Sequence, residues 1–171
     1  KKFDFNGSQR YWLPSGEYTM EIKLKDENAP LAKVTIVKSK VRIGYPKDSM
    51  AISDVALLES FKQGSDDPLS KSGYDMVPYI SEDNYYPQGV NMLSFYAEVY
   101  NTYKVFGSNR FALRYSIEAA DTHVALYEYS NTAVYKADTV IALLGGFDIE
   151  KLPTGKYNLV ISVINKTDQA V

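Results

Sequence analysis

Leu13-Pro14-Ser15-Gly16-Glu17-Tyr18-Thr19-Met20-Glu21-Ile22-Lys23-Leu24-Lys25-Asp26 returns later in the chain as Leu152-Pro153-Thr154-Gly155-Lys156-Tyr157-Asn158-Leu159-Val160-Ile161-Ser162-Val163-Ile164-Asn165. Five of the fourteen positions are identical and four more are close substitutions. The matches fall on the turn residues, the tyrosine and the alternate apolar residues. Proline fixes φ and glycine tolerates positive φ, so Leu-Pro-Ser/Thr-Gly reads as a turn. After it Tyr18, Met20, Ile22 and Leu24 alternate with Thr19, Glu21, Lys23 and Lys25. That is the period of a strand with one buried face.

A tyrosine that opens a strand just after a corner matches the tyrosine corner of immunoglobulin-like sandwiches. There the ring packs inward and the hydroxyl bonds back to the backbone. Tyr18 and Tyr157 are assigned this structural role. The expectation is two homologous sandwich domains; the alternative is two ordinary hairpins that share turn chemistry. The second copy carries Val160 and Ile164 where the first has Glu21 and Lys25. A strand apolar on both faces is usually covered on both. Another domain or a partner protein is therefore expected over the Val160/Ile164 face.

The 171 residues suffice for one large domain or two small ones, and 45% hydrophobic content supports a packed core. With 23% charged residues and a net charge of −2, neither disorder nor a nucleic-acid-binding surface is indicated. Fifteen tyrosines against one histidine fit a β-rich chain. Without cysteine there are no disulfide staples and no thiolate metal sites. No apolar run reaches the length of about 20 residues that spans a bilayer. The chain opens Lys1-Lys2-Phe3 without an initiator methionine, and ends at Val171 just after an expected strand. This reads as an internal piece of a longer multidomain protein. The alternative is a processed, complete protein in which Leu31 to Ile43 supplies the missing strand.

Taken in order, Phe3, Phe5, Tyr11 and Trp12 surround a polar turn, with Trp12 expected to pack against the first corner. Lys25 to Pro30 is a turn, and Leu31 to Ile43 returns as the second strand of a hairpin. Gly44-Tyr45-Pro46-Lys47-Asp48 is the expected boundary. This gives residues 1–44 as the last strands of a first immunoglobulin-like domain. Residues 45–171 form a second such sandwich lacking its last strand. Within it, strands are expected over Met50–Ser60, Tyr74–Ile80, Leu93–Asn101, Arg110–Glu118, His123–Tyr129 and Val134–Leu144. Gly145-Gly146 is expected to bend the chain towards the second corner. Short strands at this spacing give an all-β, immunoglobulin/fibronectin-III-like antiparallel sandwich with a partial preceding β domain.

Three stretches and a corner together resemble a known family. They are Ile52-Ser53-Asp54-Val55-Ala56-Leu57-Leu58, then Lys71-Ser72-Gly73-Tyr74 with Val77-Pro78, then Leu93 to Asn101, and the corner from Gly146-Phe147-Asp148 to Tyr157. They look like the β-sandwich region of GWxTD-domain proteins from Bacteroidota, over about residues 45–165. The motif that names the family is absent, since the only tryptophan, Trp12, sits in Tyr-Trp-Leu-Pro. The resemblance implies a secreted, periplasmic or outer-membrane-associated protein with a structural or assembly role. It carries over no catalytic residue.

For chemistry the chain offers little. His123 stands beside Asp121 and Thr122, but no Gly-x-Ser-x-Gly elbow accompanies it. One histidine without cysteine does not make a zinc site. Asp26-Glu27-Asn28, Glu82-Asp83-Asn84 and Asp66-Asp67-Pro68 are acidic turns without the calcium-loop pattern. Glu98 and Glu118 fall on outward strand positions, where cross-strand ion pairs explain them better than glycoside chemistry. Lys33, Lys38, Lys40 and Arg42 read as guards of a sheet edge. No cofactor and no metal is called for. The binding candidates are aromatic: Tyr74, Tyr79, Tyr85 and Tyr86, in and beside an Asp/Asn-rich loop, suited to a sugar or a partner chain. The preferred expectation is a non-catalytic interaction segment of an envelope protein working through protein–protein contacts. A carbohydrate-binding module using the loop tyrosines is the alternative, and a hydrolase dependent on His123 ranks last.

Overall fold

The structure is a computed structural model that describes residues 9–28, 31, 33–65 and 70–164. The expectations for Phe3, Phe5 and Asp66-Asp67-Pro68 lie outside these residues. The chain divides into two compact units, Lys1–Pro46 and Lys47–Val171. The division falls inside the stretch expected to hold the boundary. The regular structure is almost wholly antiparallel strand, so the chain is all-β and sandwich-like.

In the first unit β1 (Gly16–Leu24) pairs with β2 (Thr35–Ile43), from Gly16↔Ile43 to Leu24↔Thr35. This register puts Tyr18, Met20, Ile22 and Leu24 on one face with Val37 and Val41. On the other face Glu21 lies between Lys38 (2.7 Å) and Lys23 (3.0 Å). Those two ammonium groups, Lys38 first, hold its carboxyl below the usual carboxylate range. The alternation is as expected, but the apolar face is not buried: Leu24 is 57% exposed. A two-stranded ribbon is one layer and provides nothing to pack against. For the same reason Trp12 does not pack on the corner; it is 90% exposed.

The second unit contains β3 (Ala51–Ile52), β4 (Ala56–Gln63), β5 (Tyr74–Pro78), β6 (Met92–Tyr100), the one-turn α1 (Tyr103–Phe106), β7 (Arg110–Ala119), β8 (Ala125–Lys136), β9 (Val140–Asp148) and β10 (Tyr157–Ile164). In one sheet β9 pairs with β6 along its whole length, from Met92↔Asp148 to Tyr100↔Val140. On the other side β6 takes β3 and β4, and β4 passes on to β5. The second sheet has the order β10-β7-β8. Both sheets supply one core, in which Phe95, Val99, Ile141, Leu143 and Phe147 meet Phe111, Leu113, Ile117 and Val163. Tyr115 joins them edge-on, 5.2 Å from Phe95 and 5.4 Å from Phe147 between ring centres.

Several expectations need correction. Met50–Ser60 is not one strand. The hydroxyl of Ser53 accepts the Glu98 N–H (2.8 Å) while the Ser53 N–H donates to the Glu98 carbonyl (2.8 Å), and the chain breaks between β3 and β4. Residues 134–136 end β8 rather than begin a new strand. The turn that follows is held from afar: Thr102 donates its hydroxyl to the Asp138 carbonyl (2.9 Å) and accepts the Asp138 N–H (2.8 Å). The segment after β6 carries α1 and crosses between the sheets. Gly145 and Gly146 do not bend the chain, since both lie within β9. They are small because a Cβ on Gly145 would sit 2.7 Å from the Phe95 ring, and one on Gly146 2.8 Å from the Leu93 carbonyl.

Candidate interaction site

Strand β10 carries the first candidate. Its register with β7 places Leu159, Ile161 and Val163 opposite Ile117, Tyr115 and Leu113, on the core side. Val160 and Ile164 therefore point to the outer face, opposite Ser116 and Ala112 and in alternation with Asn158 and Ser162. Both are partly buried. The core side of the strand is wholly apolar, and Val160 and Ile164 add two apolar side chains to the other.

The corner that launches β10 is built as the sequence implies. Tyr157 donates its hydroxyl to the Pro153 carbonyl at 2.8 Å, and Tyr18 donates to the Pro14 carbonyl at the same distance. In each copy the glycine two residues earlier lies under the ring. A Cβ there would approach it to 3.4 Å at Gly16 and 3.2 Å at Gly155.

The loop tyrosines divide. Tyr79 and Tyr86 stack on one another, 4.4 Å between centres at 13°. The Tyr79 hydroxyl donates to the Tyr85 carbonyl at 2.6 Å. Burial, with the neighbouring Tyr79, pushes the Tyr86 hydroxyl up to about 12. Tyr85 alone is turned outward, 65% exposed. Asp83 and Asn84 hold left-handed backbone (φ 52 and 55), which these short polar residues tolerate. Tyr74 packs separately, edge-on to Phe61.

Sequence reasoning missed a buried polar cluster on β6. Glu98 stands on the face of β6 away from the core, as expected, but that face is covered and the residue is 5% exposed. Its carboxylate accepts from Tyr96 (2.7 Å), from Tyr100 and from Lys71 (2.8 Å), while Ser72 meets the Tyr96 hydroxyl (2.9 Å). Burial raises the Glu98 carboxyl, but Lys71 and the two tyrosines outweigh it and hold the group below the usual range. The cluster ties the turn before β5 onto the centre of the sheet. The signal was present as Tyr-x-Glu-x-Tyr, three polar tips at alternate positions of one strand.

Glu118 accepts from His123 Nδ1 and from Asn158, each at 3.0 Å, and His123, ahead of Asn158, keeps its carboxyl low. His123 itself sits in the β7–β8 turn at φ 55. Asp26 caps the Asn28 N–H at 2.9 Å. Among the described residues no group of three or more acidic or histidine side chains is placed to share a cation. No helix among them is long and apolar enough to cross a membrane.

No family model, curated protein or solved structure matches this chain.

Proposed function

We propose that this chain is a non-catalytic interaction segment of a bacterial cell-envelope protein, and that its second unit, an immunoglobulin-like sandwich, binds protein through β10. The observation that carries this reading is the outer strip of Val160 and Ile164, apolar and flanked by Ser116 and Ala112 on a strand at the sheet margin. The extracytoplasmic location rests on the likeness of residues 45–165 to GWxTD-domain proteins. The test is the double variant Val160→Ser/Ile164→Ser. It should melt as the parent does and lose co-migration with its partner on native gels of envelope extract. An unchanged assembly contradicts the reading.

A carbohydrate-binding role remains the second reading, favoured by the exposed ring of Tyr85 beside the Tyr79–Tyr86 stack. Binding to a polysaccharide panel that is lost in Tyr85→Ala supports it. Silence across the panel removes it.

A further inference from the structure

The outer face of the β10-β7-β8 sheet carries a charge pattern that the rest of its unit does not share. The second unit is acidic as a whole, with ten lysines and arginines against sixteen aspartates and glutamates. On β7 the side chains of Phe111, Leu113 and Ile117 enter the core, so Arg110, Ala112, Arg114 and Ser116 stand on the opposite face. The register with β8 and β10 sets this face in rows. Lys136 lies beside Arg110, then come Val134, Ala112 and Ile164, then Thr132, Arg114 and Ser162. The two carboxylates of the sheet, Glu118 and Glu128, lie beyond the Ser116↔Ser130 pair, at the other end. Glu118 is engaged there by His123 and Asn158.

Arg110, Arg114 and Lys136 are exposed and make no ion pair among the described residues. Arg110 and Lys136 are direct cross-strand neighbours, and like charges so placed destabilise a sheet. No described carboxylate relieves that repulsion; an anion laid over the face would. Between the two cationic rows lies an aliphatic one, in which Val134 is 56% exposed. A phosphate polymer has nothing apolar to set against it. A polypeptide has, because alternate side chains of an extended chain point the same way and repeat about every 7 Å, the spacing of these rows.

We propose that this face receives an extended acidic segment of a partner protein, in which an apolar side chain stands between two carboxylates at every second position. One carboxylate meets the Arg114 guanidinium between the Ser162 and Thr132 hydroxyls, and the other meets the Arg110/Lys136 pair. The apolar side chain lies on Val134, Ala112 and Ile164. The sign of the charge selects the partner, and the aliphatic row fixes its register. The proposal rests on the reading of the Val160/Ile164 face as a protein contact and adds the chemistry of what it contacts.

The test is an NMR titration of the full chain with the end-blocked synthetic peptide Glu-Ser-Leu-Ser-Glu. Saturable shifts are expected at the side-chain N–H groups of Arg110 and Arg114 and at the methyl groups of Val134 and Ile164. Arg114→Gln should weaken binding about tenfold or more, and Lys-Ser-Leu-Ser-Lys should not bind. Arg110→Gln should also weaken binding yet melt no lower than the parent, since it removes a like-charge contact; an arginine kept for the fold would lower the melting temperature when removed. Absence of shifts on this face overturns the proposal. So do equal shifts there with Glu-Ser-Ser-Ser-Glu, with inorganic polyphosphate or with phosphatidylglycerol vesicles. Shifts that appear on concentrating the chain alone overturn it too, since the occupant would then be a second copy. On native gels, assembly that is lost in Val160→Ser/Ile164→Ser but kept in Arg110→Gln/Arg114→Gln removes this inference and leaves the broader reading standing. Assembly kept in both removes the broader reading.

Discussion

Tyr157 and Pro153 are joined by a 2.8 Å hydrogen bond from the phenol to the carbonyl four residues earlier, and Tyr18 and Pro14 repeat it at the same length. The two corners differ in what lies behind them. Tyr157 packs against the core of its unit, whereas no described residue of the first unit is buried. Tyr157→Phe should therefore lower the unfolding free energy of the second unit by about 1 kcal/mol, the usual net worth of one such bond. Tyr18→Phe should leave that transition unmoved. Urea unfolding of each variant checks both.

Glycine at 145 is a packing requirement. Gly145→Ala would drive a methyl group to 2.7 Å from Phe95 and 3.1 Å from Tyr115, both held within the core. Overpacking of this kind should cost about 1–3 kcal/mol. Thermal melting reads the loss, and Phe95→Leu in the same chain should recover part of it by opening the space.

The buried Glu98 makes stability depend on acid. Its folded pKa lies below the ordinary value of 4.5, so the ionised group favours the fold. That contribution is complete above pH 4.5 and is lost as pH falls towards the lowered folded value. Glu98→Gln should flatten the acid limb of the stability profile. Lys71→Met, which leaves the carboxylate with its two tyrosines alone, should shift the limb to higher pH. Stability measured from pH 3 to 7 distinguishes the three proteins.

Tyr86 makes the opposite prediction in base. Its hydroxyl is pushed from 10.0 up to about 12, so the neutral ring favours the fold. The stabilisation is complete below pH 10 and declines as pH rises towards 12. A tyrosinate titration followed by absorbance should show a late-ionising component that is missing in Tyr86→Phe.

The sequence and the structure agree where local chemistry governs. The repeated corner was legible because proline, glycine and tyrosine each have one backbone or packing role there. The strands β6 and β7 were legible as strands because apolar and polar residues alternate along them. What was not legible depends on contacts distant in the chain. The break at Ser53 is made by Glu98, and the β8–β9 turn by Thr102. Glu98 looked solvent-facing because alternation predicts which face a residue occupies, not whether that face is covered. Lys71 and Ser72 come to it from another segment. Of the loop tyrosines, the pattern could not tell Tyr85, which is presented, from Tyr79 and Tyr86, which stack on one another.

The chain has no cysteine, so one introduced thiol reports on one place. Val160→Cys and Val163→Cys sit three residues apart on opposite faces of β10, the second in the core at 8% exposed. In the isolated, folded chain the thiol at 160, on the partly buried outer face, should react with a small maleimide at least about a hundredfold faster than the thiol at 163, which labels at the pace of local opening. Equal, slow labelling at both positions would mean that the outer strip is already covered, and β10 would not be the binding strand.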